Sequence, residues 1–155
     1  MKHPTLPKGI IVRDSEVEPT PKEFCFVVMS FSGNPVLESY YEEAIKPTVE
    51  KLGHGCIRVD KEHYSDKISE RIRANIEKSA LVIIDLTEDR PNCYFEAGYA
   101  VALNKKIIFQ RLHAPPKYEA VFHFDVHDYP FILYGTLMDL RKQLRDKLKA
   151  LLGES

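Results

Sequence analysis

The sequence predicts an α/β fold, with a five-stranded parallel sheet of order 2-1-3-4-5 carrying helices on both faces. Three observations predict it. Short apolar runs of strand length alternate steadily with segments of helical periodicity from Phe24 onward. The first such run is continuous rather than alternating, as in a strand covered on both faces. The 155 residues are enough for one domain with a substantial core.

Phe24 to Met29 is the first strand. The turn residues Ser30-Phe-Ser-Gly33-Asn34-Pro35 break it. A helix follows with Leu37, Tyr41, Ile45, Val49 and Leu52 near 3.6 periodicity, Pro47 as a kink and Gly53 as a stop. Cys56 to Val59 is a short second strand. Asp66 can cap a helix with Ile68, Ile72 and Ile76 on one face. Leu81 to Ile84 is the third strand, and Asn92 is read as the cap of a helix running to about Leu103. Lys106 to Phe109 and Phe131 to Tyr134 are the fourth and fifth strands. The last helix carries Leu137, Leu140, Leu144, Leu148 and Leu151 as an apolar stripe. Residues 1–22 hold four of the ten prolines and read as an extended arm, with Gly9 to Val12 as one short edge strand. Residues 23–155 then form a single domain, a flavodoxin-like three-layer sandwich whose switch point lies between strands 1 and 3.

Composition narrows the function. With 22 Lys+Arg against 23 Asp+Glu, no basic excess points to nucleic acid or an anionic membrane. Three cysteines without C-x-x-C spacing argue against a disulfide framework and fit a reducing compartment. No apolar stretch approaches the roughly 20 residues of a membrane helix, and the N-terminus has no signal-like apolar region. A cytoplasmic protein is the expectation.

Ligands of open α/β sheets bind beyond the C-terminal strand edge, and two carboxylates fall there. Glu96, about one turn into a helix capped by Asn92, would be held ionised by the helix dipole; acidic residues are also common in first turns for that reason alone. Asp85 ends the third strand and could hold a ribose hydroxyl, orient a neighbour or accept backbone N–H groups. Arg58 and Asp60 could pair with each other, or reach a phosphate and a sugar. Ser30, Phe31, Ser32 and Gly33 offer small residues and N–H groups to a phosphate, without a G-x-G-x-x-G or P-loop pattern. Phe31 and Tyr94 could stack on a base, although such aromatics often belong to the core. Cys93 lies near a helix N-terminus, where a thiolate would be stabilised, and is read as a bystander. His123, Asp125 and His127 alternate as zinc or iron ligands could, but they follow a proline loop and no metal is assigned to them.

These residues carry a resemblance. Phe26-Val-Val-Met-Ser-Phe31, Tyr41-Glu-Glu-Ala-Ile-Lys-Pro47, Arg58-Val-Asp60, Ile84-Asp-Leu-Thr87 and Pro91-Asn-Cys-Tyr-Phe-Glu-Ala-Gly-Tyr-Ala100 resemble the nucleoside 2-deoxyribosyltransferase-like and TIR-like proteins, over roughly Phe24 to Phe109. The segment from Phe124 to Tyr134 is similar to this group as well. The resemblance implies a flavodoxin-like fold and chemistry at an N-glycosidic bond, with Glu96 as the carboxylate at the anomeric carbon. Asp85 or Asp60 would deliver a proton to the departing base. It implies no cofactor; NAD would enter as a substrate. Two departures stand out. Ile72 matches a position where the transferases and deoxynucleotide N-hydrolases carry an aspartate. Asp89-Arg-Pro-Asn92 replaces their glycine-rich loop, and Arg90 suits a phosphate better than a bare nucleoside. Both favour the TIR-like branch.

The leading expectation is an N-glycosidase or ribosyltransferase-like enzyme acting on a nucleotide or nucleoside, with Glu96 and Asp85 catalytic. Ser30, Phe31, Ser32, Gly33, Arg58, Asp60, Arg90 and Asn92 would bind the substrate. The alternative is a non-catalytic nucleotide sensor or scaffolding module, and a homo-oligomer is compatible with either.

Overall fold

The computed structural model describes residues 23–30, 33–59, 66–113 and 128–153. Strands β1 (Phe24–Val28), β2 (Gly55–Ile57), β3 (Leu81–Asp85), β4 (Ile107–Leu112) and β5 (Phe131–Tyr134) form one sheet. Its order is β2-β1-β3-β4-β5, and every neighbouring pair is parallel. Helices α1 (Pro35–Tyr40), α2 (Lys46–Lys51), α3 (Asp66–Lys78), α4 (Pro91–Ala102) and α5 (Leu137–Leu152) complete a flavodoxin-like α/β fold.

The strand period of two divides the core into halves. Cys25, Val27, Leu81, Ile83, Ile108 and Ile132 face α1, α2 and α5. Phe24, Phe26, Val82, Ile84, Ile107 and Phe109 face α3 and α4. On α5, the stripe at Leu140, Leu144 and Leu148 is buried, each side chain contributing roughly 2 kcal/mol. Thr136 caps that helix by accepting from the Asp139 N–H at 3.1 Å.

Pro47 explains an irregularity. The chain passes between α1 and α2 through a π turn over Tyr41–Ile45. Proline has no N–H to give the carbonyl four residues back, at Glu43. That carbonyl instead accepts from Arg141 Nε at 2.7 Å. Beyond α2, Gly53 adopts φ +83° and donates to Glu50 at 3.0 Å, as a helix stop requires.

Two boundaries correct the sequence reading. β2 covers Gly55–Ile57, so Arg58 lies past its end. Arg90, not Asn92, is the N-cap of α4, and Pro91 takes the first helical position, where its missing N–H costs nothing. The proline-rich arm, Phe31, Ser32, Asp60 and the segment of His123, Asp125 and His127 lie outside the described residues. Among the described residues, no helix is long and apolar enough to cross a membrane, and no three His, Cys, Asp or Glu side chains group as metal ligands.

Candidate active site

Beyond the C-terminal ends of β1 and β3, at the switch point of the sheet, lies a cavity of about 380 Å³, within the size range of small-molecule sites. Three segments build it: Met29 and Ser30 after β1, one face of α3, and the start of α4 from Arg90 to Glu96. Of the residues singled out from sequence, Ser30, Arg90, Asn92 and Glu96 meet on its walls.

Glu96 is the one carboxylate on those walls among the described residues. It also lines a smaller cavity of about 10 Å³, otherwise bounded by apolar residues including Phe26, Val28, Val59 and Ile72. Burial in these surroundings pushes its carboxyl from the ordinary 4.5 up to about 7. This corrects the expectation of a dipole-ionised group. The helix begins at Pro91, so Glu96 is its sixth residue, beyond the first turn in which the dipole acts. Desolvation therefore wins. No hydrogen bond or ion pair from the described residues compensates the Glu96 carboxylate.

Cys93, one helical turn earlier, is 5 % exposed. Burial, and then the charges of Glu96 and Asp85, push its thiol up to about 12. The helix N-terminus does not stabilise a thiolate here, contrary to the sequence reading, and Cys93 is an inert wall.

Asp85 does not line the cavity. It is 1 % exposed, and its carboxylate is fully engaged. Oδ1 accepts from the Thr87 N–H at 2.9 Å and from the Thr87 hydroxyl. Oδ2 accepts from Gln110 Nε2 and from the Tyr134 hydroxyl, each at 2.7 Å. The charge shapes the turn after β3 and ties β3, β4 and β5 together.

Arg58 and Gly33 also lie off the cavity walls. The Arg58 side chain is 5 % exposed; its guanidinium pairs bidentately with Glu38 at 3.1 and 2.7 Å and sits 3.9 Å from the Tyr41 ring centroid. Asn34 caps α1 by accepting from the Val36 N–H and reaches Glu88 across the crevice at 3.5 Å. Tyr94 donates to Asp89 at 2.7 Å, and among the described residues the aromatic side chain on the cavity is that of its neighbour Phe95, 66 % exposed.

Apart from Ile72, which the resemblance matched to a transferase aspartate, the wall from α3 was not foreseen from sequence. Ile68, Ser69, Ile72 and Arg73 line the cavity. Their signal was present: at i, i+1, i+4 and i+5 they share one helix face. The isoleucine stripe accounted for the core and drew attention from the polar residues at its edge. Arg73 gives the cavity a second guanidinium beside Arg90, whose Nη2 donates to Glu88 at 3.1 Å.

No protein-family model matches the chain, and no curated protein matches it in sequence. Solved structures do. A CMP N-glycosidase of Clostridium botulinum, BcmB, aligns with a TM-score of 0.61 over 79 % of this chain and 98 % of its own, at 17 % identity. A 2-deoxyribosyltransferase from Leishmania mexicana aligns with a TM-score of 0.51 over 61 % of this chain and 67 % of its own, at 20 % identity. The chain has a nucleoside 2-deoxyribosyltransferase-like fold. At these identities the likeness concerns the fold, and the chemistry has to be argued from the cavity.

Proposed function

We propose that the chain breaks or transfers at the N-glycosidic bond of a nucleotide or nucleoside, with Glu96 acting on the anomeric carbon. The observation that carries this reading is a buried carboxylate, compensated by none of the described residues, on a cavity at the switch point of this fold. Departure of the base leaves positive charge on the sugar, and an ionised carboxylate beside C1′ stabilises it. Ser30 and Asn92 would meet sugar hydroxyls, and Arg73 and Arg90 a phosphate. Asp85 acts as a positioning residue for the loop that leads into α4. Asp60 remains the candidate for a second carboxylate near the ribose. The fold likeness to an N-glycosidase and a deoxyribosyltransferase supports the reading.

Ile72 favours a second reading. It lines the cavity at the position matched to an aspartate in the transferases, which suits a sensor that binds nucleotide without turning it over. Base release by HPLC, from nucleosides, deoxynucleotides, nucleotides and NAD, separates the two. A free base formed by the wild type supports glycosidic chemistry. Binding with ligand recovered unchanged supports the sensor.

A further inference from the structure

Resting on the glycosidic reading, we infer that Arg73 is the residue by which the cavity tells a phosphorylated ligand from a bare nucleoside, because Glu88 has already taken Arg90. Two guanidiniums line the cavity, Arg73 from α3 and Arg90 at the head of α4. They are not equivalent.

Arg90 Nη2 donates to Glu88 Oε2 at 3.1 Å, and Glu88 Oε1 accepts from Asn34 Nδ2 at 3.5 Å. Asp89, between the two, is fixed by Arg111 and Tyr94, so the backbone that carries the pair is held in place. Glu88 is therefore a resident anion on Arg90. A phosphate arriving there has to break that pair and meets the charge of Glu88 as well. The side chain of Arg90 is 54 % exposed and that of Glu88 20 %, so water screens the pair and the competition is modest in size.

Arg73 forms no ion pair among the described residues. Glu77, one turn further along α3, accepts from the Tyr99 hydroxyl. Glu96 does not neutralise Arg73 either, since burial is the cause that moves its carboxyl and no guanidinium offsets it. Ser69, four residues before Arg73 on the same helix face, also lines the cavity. A phosphate on this wall would receive the planar fork of Arg73 and the hydroxyl of Ser69. Ile68 and Ile72 beside them keep water from one side and strengthen the attraction. The sequence offered Arg90 for the phosphate; the pairing moves that role to α3.

The test measures by calorimetry, on the full chain, the affinity of a monophosphate relative to its unphosphorylated partner. The pairs are cytidine 5′-monophosphate and cytidine, adenosine 5′-monophosphate and adenosine, and ribose 5-phosphate and ribose. The ratio is read in wild type, Arg73→Ala, Arg73→Lys, Arg90→Ala, Glu88→Gln and the double variant Glu88→Gln/Arg90→Ala. We expect Arg73→Ala to lower it about tenfold or more, and Arg73→Lys to restore part of the loss, as a charge without the fork does. Arg90→Ala should lower it less than about threefold, and Glu88→Gln should raise it about two- to fivefold. That gain cannot come from misfolding, and it should disappear in the double variant. An Arg90→Ala loss as large as that of Arg73→Ala overturns the inference, as does a Glu88→Gln variant without a gain. A gain that survives Arg90→Ala, or no phosphate preference with any pair, overturns it too. HPLC of the same mixtures separates the inference from the reading beneath it. Base released equally from nucleosides and monophosphates removes the inference and leaves the glycosidic reading standing. A ratio set by Arg73, with no base released from any nucleoside or nucleotide, upholds the inference and removes the glycosidic reading.

Discussion

Arg111 of β4 grips Asp89 in the β3–α4 loop with two hydrogen bonds, of 2.6 and 2.8 Å. The same guanidinium donates to the Leu86 carbonyl at 3.0 Å, and Asp89 also accepts from Tyr94 of α4. Asp89 is held at φ +49°, a region that aspartate enters more readily than most residues with a Cβ. Substituting Arg111→Ala removes the fork that fixes the loop carrying Arg90 and opening the helix of Glu96. Urea denaturation should show a loss of about 2–3 kcal/mol, with Arg111→Lys intermediate because it cannot bond bidentately. An unchanged midpoint would mean that the loop is held by other contacts.

Burial of Glu96 makes stability depend on pH. Its carboxyl titrates at about 7 in the folded chain and at 4.5 ordinarily, so the folded state binds more protons between those values. Stability is therefore lost as pH rises from about 4.5 to 7, by roughly 2–4 kcal/mol in total. Glu96→Gln should be more stable than wild type at pH 8, and that advantage should disappear near pH 4. Denaturation midpoints across this range check the sign. A wild type that gains on Glu96→Gln with rising pH would place a compensating cation beside the carboxylate.

The Tyr134 hydroxyl completes the shell around Asp85. Tyr134→Phe keeps the ring against Tyr40 and deprives Asp85 Oδ2 of one donor. A cost of about 1–3 kcal/mol is expected, since a buried charge loses a hydrogen bond. Thermal or urea unfolding reads it directly, and a neutral result would show that water replaces the hydroxyl.

Ile72 lines both cavities with Glu96. Ile72→Asp would set a second carboxylate near the first. Like charge raises the Glu96 pKa further, so the acid limb of any base-release profile should move above 7 by about one unit. A limb that stays in place would separate the two side chains in the working enzyme.

The centre of the sheet was legible because β1 and β3 are buried on both faces and therefore read as continuous apolar runs. The crevice followed from topology. What misled was local: Asn92 looked like a cap because Asn is a frequent one, whereas Pro91 is the first helical position, two residues earlier than that cap implies. That shift carried Glu96 out of the dipole's reach and left burial to push its carboxyl up to about 7. Asp85, at a sheet edge, offered no sequence sign that Thr87, Gln110 and Tyr134 would consume its charge, because two of those partners come from β4 and β5. Arg58 was read with Asp60 or a phosphate as its partner, whereas Glu38, 20 residues earlier on α1, takes its guanidinium.

The central claim is that Glu96 acts at the glycosidic centre, and base release under saturating nucleotide, wild type against Glu96→Gln, tests it most directly. The account predicts release by the wild type, rising as pH passes about 7, and a loss of about a thousandfold or more in a variant that stays folded and still binds. Equal release by the two proteins would contradict it.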